Sequence, residues 1–276
     1  MHRRLLHFAN NAISVEYDGE IPTHLIDFLF HYIPETGSAT PHLTYRLTMD
    51  EVDNKLVLYR GDERETDYQS EASMAIHLME RACYHLADKS QGGLMLHAAA
   101  ALWNNEGVLL PGTTRSGKST LTAWLCSQGF DYMTDELSFI PQDTKEIYAF
   151  TRPLSLKKDV RPLFRELIAA TRQSESLLRT FNIDLFSPRG LTAGGVINHA
   201  PLHRIIFPQF QSDASFNLQK LSKAHSSLAL MRCLVNARNL PEHGLPEIIR
   251  ISQTIPAYAM IYGSFEQIEQ AFEGIL

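Results

Sequence analysis

The chain is short of cysteine, of basic excess and of long apolar runs, and each shortage removes a class of protein. Its three cysteines, Cys83, Cys126 and Cys233, are far apart and odd in number. They exclude a disulfide framework and a CxxC zinc site and suit a reducing compartment, so the cytoplasm is the expected location. Lys and Arg number 25 against 31 Asp and Glu, a formal charge of -6. Basic residues are scattered apart from short pairs such as Arg3-Arg4 and Lys157-Lys158, which leaves no phosphate-backbone footprint. Nucleic acid is not an expected partner. The longest apolar run, LMLHAAAALW over 94–103, is about half a membrane span. The basic start MHRRLLHF is interrupted at His7 and again at Asn10-Asn11, so a signal-peptide apolar region is missing. No membrane association is expected.

What is present is an ordinary globular composition, 44% hydrophobic and 20% charged. A chain of this length buries roughly 70 to 75% of its unfolded surface and needs no disulfide or metal to hold it. By length it is one large domain or two modest ones. Residues 1–90 mix short apolar stretches with turn residues. HLTYRLTM and KLVLYR alternate like strands, 23–33 reads as a helix, and EASMAIHLMERACYHLAD places Ala72, Ala75, Ile76, Met79, Ala82, Cys83 and Leu86 on one helical face. This part is expected to be a small N-terminal α/β lobe.

From residue 91 the pattern changes. LMLHAAAALW, the turn NNEG and VLLPG read as strand, turn and strand. STLTAWLCSQ reads as a helix with Leu121, Trp124 and Leu125 on one face and Gly129 closing it. FDYMTDELSFIP is strand material interrupted by two acids, and IYAF and LSL are further short strands. Residues 159–200 are the least regular, with a helix expected near 160–171. RIIFPQF and AYAMIY are strands. SKAHSSLALMRCLVNA is a helix capped by Ser222, and SFEQ at 264–267 is a capping box for a last helix with Ile268, Ala271, Phe272 and Ile275 inward. Residues 91–276 are expected to form a catalytic domain.

The chemistry centres on GTTRSGKST. Gly112 to Ser119 match G-x-x-x-x-G-K-[ST] without a gap, between a strand and a helix. A random chain of this length shows that pattern roughly one time in a hundred, before the strand and helix are required. Gly112 and Gly117 let the backbone turn so that N–H groups converge on one concavity, where the helix N-terminus adds its positive end. Thr113, Thr114, Arg115, Ser116 and Thr120 complete the loop. Lys118 is suited to the β and γ oxygens of a nucleotide, and the Ser119 hydroxyl to Mg²⁺. A metal held by one serine and phosphates needs a carboxylate from a neighbouring strand end, and Asp135 and Glu136 are the candidates. Adjacent acids on a strand point to opposite faces, so both reach one site only where the strand ends or bends. His97, in a strand ahead of the loop, is suited to orienting an acid or a substrate hydroxyl. Arg152 and Lys157, in TRPLSLKK, are the preferred further cations for the phosphates.

The run HAAAALWNNEGVLLPGTTRSGKSTLTAWLCSQGFDYMTDELSFI resembles the catalytic domain of bacterial HPr kinase/phosphorylase and the broader set of HPr-kinase-related proteins. The likeness covers about 94–140. It implies an α/β P-loop core akin to that of phosphoenolpyruvate carboxykinase. It also implies that Gly112 to Thr120 hold phosphates, that Ser119 helps bind Mg²⁺, that Asp135 and Glu136 divide the base and metal roles, and that His97 lies near the reacting groups. The chain departs from the family at Arg115, where the family has Gly, at Thr120, where it has an acid, and at Glu136, where it has a second Asp. The Glu-Ile-Arg-Gly signature is missing. The resemblance is therefore to the related group rather than to the enzymes that act on HPr.

The expected function is an ATP- and Mg²⁺-dependent kinase, with GTP an open alternative, acting on a hydroxyl of a protein, peptide or small molecule, foremost a serine. The expected base is Asp135. The competing expectations are a nucleotide-gated binding module, with the irregular 172–200 stretch as its switch, and an NTPase without a second substrate. A homo-oligomer is left open.

Overall fold

The computed structural model describes residues 1–34, 39–165, 176–191 and 194–272, with the side chains of 271 and 272 outside the description. Within these residues the chain is a mixed α/β protein with three sheets. It divides into two compact units, Met1–Gly92 with Phe150–Leu191, and Gly93–Ala149 with Thr192–Leu276. Among the described residues no helix is long and apolar enough to cross a membrane.

The first unit is built on five strands in sequence order: β1 (His2–Phe8), β2 (Asn11–Tyr17), β3 (Thr44–Asp50), β4 (Lys55–Arg60) and β5 (Glu63–Tyr68). β2 and β3 pair in parallel, and the crossover between them carries helix α1 (Glu20–Phe30), as a parallel connection requires. Helix α2 (Glu71–Asp88) is capped by the Ser70 hydroxyl, which accepts from the Ser73 amide. Of the face expected from its sequence, Ala72, Ala75, Met79, Ala82, Cys83 and Leu86 are buried, while Ile76 is half-buried; Met74 and Leu78 join the core instead.

Residues 150–191, attached to the second part by their place in the chain, cluster with this first unit. Of the stretch that reads as irregular, β12 (Leu177–Arg179) and β13 (Ile183–Phe186) form an antiparallel sheet with β11 (Leu154–Lys157), the strand expected at LSL. Strands of three and four residues are too short for a period-two pattern to show in the sequence. Of the helix expected near 160–171, the described part is a 3₁₀ segment, Lys158–Phe164, with Pro162 inside; positions 166–171 lie outside the described residues. Asp184, with a fully buried side chain, ties the sheet together. It accepts from Arg161 Nε and Nη2 at 2.9 and 2.8 Å and from Arg179 Nε and Nη2 at 2.6 and 2.8 Å.

The second unit carries one eight-stranded sheet. Its path runs β10 (Glu146–Ala149), β9 (Leu137–Pro141), β6 (Gly93–Trp103), β7 (Glu106–Pro111), β14 (His199–Phe210), β16 (Ala257–Tyr262) and β15 (Asn217–Lys220), with β8 (Asp131–Thr134) also on β6. β10 also pairs with the start of β14, so five of these strands close on themselves. β7, β14 and β16 run parallel and their C-terminal ends share one edge of the sheet. The run Ala98–Ala101 is completely buried because α3 (Lys118–Ser127) and α5 (Leu245–Thr254) both pack against β6. Helix α4 (Lys223–Met231) is capped by Ser222 as its sequence predicts. In α6 (Phe265–Phe272) Ile268 is buried, but Gln267 accepts from the Gly263 amide rather than closing the box on Ser264. The inward placement expected for Ala271, Phe272 and Ile275 lies outside the described side chains.

Burial of Asp184 opposes its ionisation, and hydrogen bonds from Arg179 and Arg161 overcome this, so its carboxyl is held below the usual carboxylate range. A depressed folded value contributes stability above the unfolded value of about 3.9 and loses it as pH falls through the folded value. Asp184→Asn, which strands two guanidinium groups, is expected to cost about 3 kcal/mol in urea unfolding at pH 7. The gap between variant and wild type should narrow at pH 3. An undiminished gap there would contradict the assignment.

Candidate functional site

The site follows from how β6 chooses its neighbours. On one side β6 pairs with β7 from Ala98 to Trp103. On the other it pairs first with β9, His97 opposite Leu137, and then with β8, Ala100 opposite Thr134. Asp135 and Glu136 fill the interval between β8 and β9, the break that their adjacency in the sequence requires. The Ala98 amide donates to the Glu136 carbonyl at 2.9 Å, which pins that break beside His97. Ala98 also lies opposite Pro111, the last residue of β7, so the break and the start of the Gly112 loop lie on the two sides of one position of β6.

The glycines of the loop are there for space and for backbone sign. A Cβ on Gly112 would come within 2.5 Å of Ser116 Oγ. Gly117 caps α3 with φ +94°, and a Cβ there would lie 2.8 Å from Tyr262 Oη and 3.2 Å from Phe210 Cβ. Arg115 also has positive φ, +72°, and is exposed. Glycine would adopt that left-handed backbone without the steric cost that arginine bears. The Phe210 amide donates to the Ser116 carbonyl at 3.2 Å, fastening the loop to the end of β14.

Two polar atoms in this loop region, Ser116 Oγ and Tyr262 Oη, are buried without a hydrogen-bond partner among the described residues. Burial raises the Tyr262 pKa well above the usual phenol value, so the hydroxyl keeps its proton. Phe210 meets the Tyr262 ring edge-on and Phe265 stacks on it, and Trp124 of α3 lies parallel to Phe265 with centroids 5.2 Å apart. Such pairs contribute about 0.5 to 1.5 kcal/mol each beyond burial and tie the body of α3 to the end of β16. Lys118, 6% exposed, turns its Nζ back onto the carbonyls of Gly112 at 2.7 Å and Thr113 at 3.1 Å. Ser119 and Thr120 are half-buried in the first turn of α3, while Thr113 and Thr114 are exposed.

His97 and Glu136 form an ion pair, Nε2 to Oε1 at 3.4 Å, with side chains 24% and 36% exposed. Asp135 is buried, 1% exposed. The His97 amide donates to the Cys233 carbonyl at 2.8 Å, so the turn after α4 also borders the site. Burial raises the Cys233 thiol pKa, opposed by the nearby charges of Lys118 and Arg232. Asn236, fully buried, clamps β6 by accepting from the Met95 amide at 3.0 Å and donating to the Gly93 carbonyl at 3.0 Å. Tyr262 and this turn were not among the residues singled out in the sequence. Their signal there is slight: Tyr262 is the last letter of a strand, and MRCLVNA reads as the end of a helix.

The second unit thus brings together the Gly112–Thr120 loop, His97, Asp135 and Glu136. Arg152, buried, and Lys157, exposed at the end of β11, belong to the first unit. Among the described residues no group of three or more His, Cys, Asp or Glu side chains is disposed to hold a metal. A cation here would therefore draw on Ser119 and on one or both of Asp135 and Glu136, with further oxygens from a ligand.

The loop geometry predicts unequal responses to substitution. Gly117→Ala forces a left-handed alanine against Tyr262 and is expected to cost more than about 1 kcal/mol. For Arg115→Gly, relief of the left-handed strain offsets the lost chain stiffness, so the change stays below about 1 kcal/mol. Thermal unfolding of the two variants checks this, and equal losses would contradict it.

No protein-family model matches the chain, and no curated protein matches it. Among solved structures it is similar to the HPr(Ser) kinase/phosphatase from Coxiella burnetii, at 12% identity and a TM-score of 0.32, over 66% of this chain and 97% of that one. The likeness is a distant structural one.

Proposed function

We propose that the chain is a kinase that transfers the γ-phosphate of ATP, with Mg²⁺, to a hydroxyl acceptor, foremost a serine of a protein or peptide. The observation that carries this reading is the strand break at Asp135-Glu136, which stands across β6 from the start of the Gly112 loop. A loop of this sequence at the C-terminal edge of parallel strands is suited to phosphates. A carboxylate pair beside it is what transfer needs in addition to binding.

The residues fit the nucleotide. Ser116 Oγ and Tyr262 Oη are buried donors in want of an acceptor, and glycines keep the space beside both free of a Cβ. The first amides of α3 have no acceptor within the helix and face the same end. Lys118 is held at the loop by two carbonyls that compete poorly with phosphate oxygens for an ammonium group. Bound Mg²⁺ would supply positive charge to offset that of the phosphates. Ser119 and one carboxylate of the break would hold it. Asp135, shielded from solvent, takes the acceptor's proton, and His97 orients Glu136 by their ion pair. Most of the acceleration comes from positioning.

The reading separates binding from transfer. Lys118→Ala is expected to weaken ATP binding at least about tenfold in calorimetry and to abolish labelling of a serine peptide by γ-labelled ATP. Asp135→Asn should keep ATP affinity within about threefold and lower transfer by about 10² to 10⁴. Labelling at the wild-type rate by either variant would overturn the kinase reading. Phosphate release that needs no acceptor, undiminished in Asp135→Asn, would favour the NTPase.

A further inference from the structure

Resting on the kinase reading, the turn after α4 carries a second inference about the acceptor. α4 and the turn that follows leave Leu228, Met231 and Val235 exposed, at 58%, 43% and 42%. α5, packed against α4, adds exposed Leu245 and Ile249. Isolated apolar residues on a surface need no explanation, but five large ones on two packed helices and their connecting turn form the kind of patch that contacts a partner.

Charge says what kind of partner. Between Ala214 and Pro241 the chain has Lys220, Lys223, Arg232 and Arg238 and no Asp or Glu, although its net charge is -6. All four cations are exposed. The patch is therefore apolar with a rim that is basic on its α4 side, which attracts carboxylates and repels a basic partner, while Glu242 stands beside its α5 edge. Its position ties it to the site. Leu234 pairs with Leu96, the Val235 amide donates to the Met95 carbonyl at 2.9 Å, and the His97 amide donates to the Cys233 carbonyl. Met231, Arg232 and Val235 thus stand within two residues of a backbone contact to His97. Asn236, by its two hydrogen bonds to β6, fixes the turn in that register.

We propose that this face docks the acceptor, and that the acceptor is a polypeptide segment with apolar side chains and carboxylates around its hydroxyl residue. A patch of several large apolar side chains is more than a small-molecule alcohol requires, and the rim selects against basic segments.

The test uses the full chain, immobilised, and a randomised peptide library with one fixed central serine, panned without nucleotide. Wild type is expected to enrich Leu, Ile or Phe and to enrich Asp and Glu at least about threefold over Lys and Arg. Arg232→Glu with Arg238→Glu should reverse the charge preference. Val235→Asp, and the milder Leu228→Ser, should erase the apolar preference while ATP affinity stays at the wild-type value, which also shows that the variants fold. No enrichment, or the same enrichment in all variants, overturns the proposal. A wild-type dimer in sedimentation that Val235→Asp dissociates, without peptide enrichment, overturns it in favour of a second copy of the chain. Failure of the kinase reading looks different, since peptide enrichment would then persist while γ-labelled ATP labelled none of the enriched serine peptides.

Discussion

The candidate site depends on one hydrogen bond in an unusual place, from the Ala98 amide to the Glu136 carbonyl. β6 has to satisfy its backbone on both sides along eleven residues, and on one side it does so with two short strands instead of one long one. Where β8 stops and β9 has not begun, a continuous strand would put one acid into the core and the other away from it. The interruption sets both acids between the two strands, Asp135 buried and Glu136 partly exposed beside His97. The hydrogen bond holds the interruption at Ala98, the residue that also faces the end of β7.

The remaining features are consequences of that placement. Ala98 to Ala101 are small because two helices cover β6, and α3 starts directly from the loop after β7. The aromatic stack of Trp124, Phe265 and Tyr262 ties the body of α3 to the end of β16. A single turn beyond α4 is sewn to the other half of β6 by Asn236 and by the Cys233 carbonyl. Binding groups, carboxylates and the turn are thus all fixed to one rigid strand, which suits chemistry that proceeds by positioning rather than by covalent steps.

Much of this was legible in the sequence because it is local. The glycines and lysine of the loop, the hairpin before it, Gly129 at φ +96° after α3 and the interruption at Asp135-Glu136 all announce themselves within a few residues. Tyr262 did not, because it reaches Gly117 only through its parallel pairing with Phe210, whose strand in turn pairs with β7. The turn of Cys233 to Asn236 was hidden for the same reason, as its partner strand begins 140 residues earlier. Strands β12 and β13 were missed because three or four residues leave no period to read, although their partner β11 shows in LSL. The positive φ of Arg115 was equally invisible, since an arginine carries no local sign of a left-handed backbone.

The central claim is that phosphates at the Gly112 loop and a carboxylate of the strand break serve one centre. A crystal structure of the chain with Mg²⁺ and a non-hydrolysable ATP analogue tests it most directly. The account predicts the β and γ phosphates within hydrogen-bond distance of Lys118 Nζ, with a metal about 2.1 Å from Ser119 Oγ and joined to Asp135 or Glu136 directly or through one water. Phosphates bound away from Gly112 to Thr120, or a metal touching neither carboxylate directly nor through one water, would contradict it.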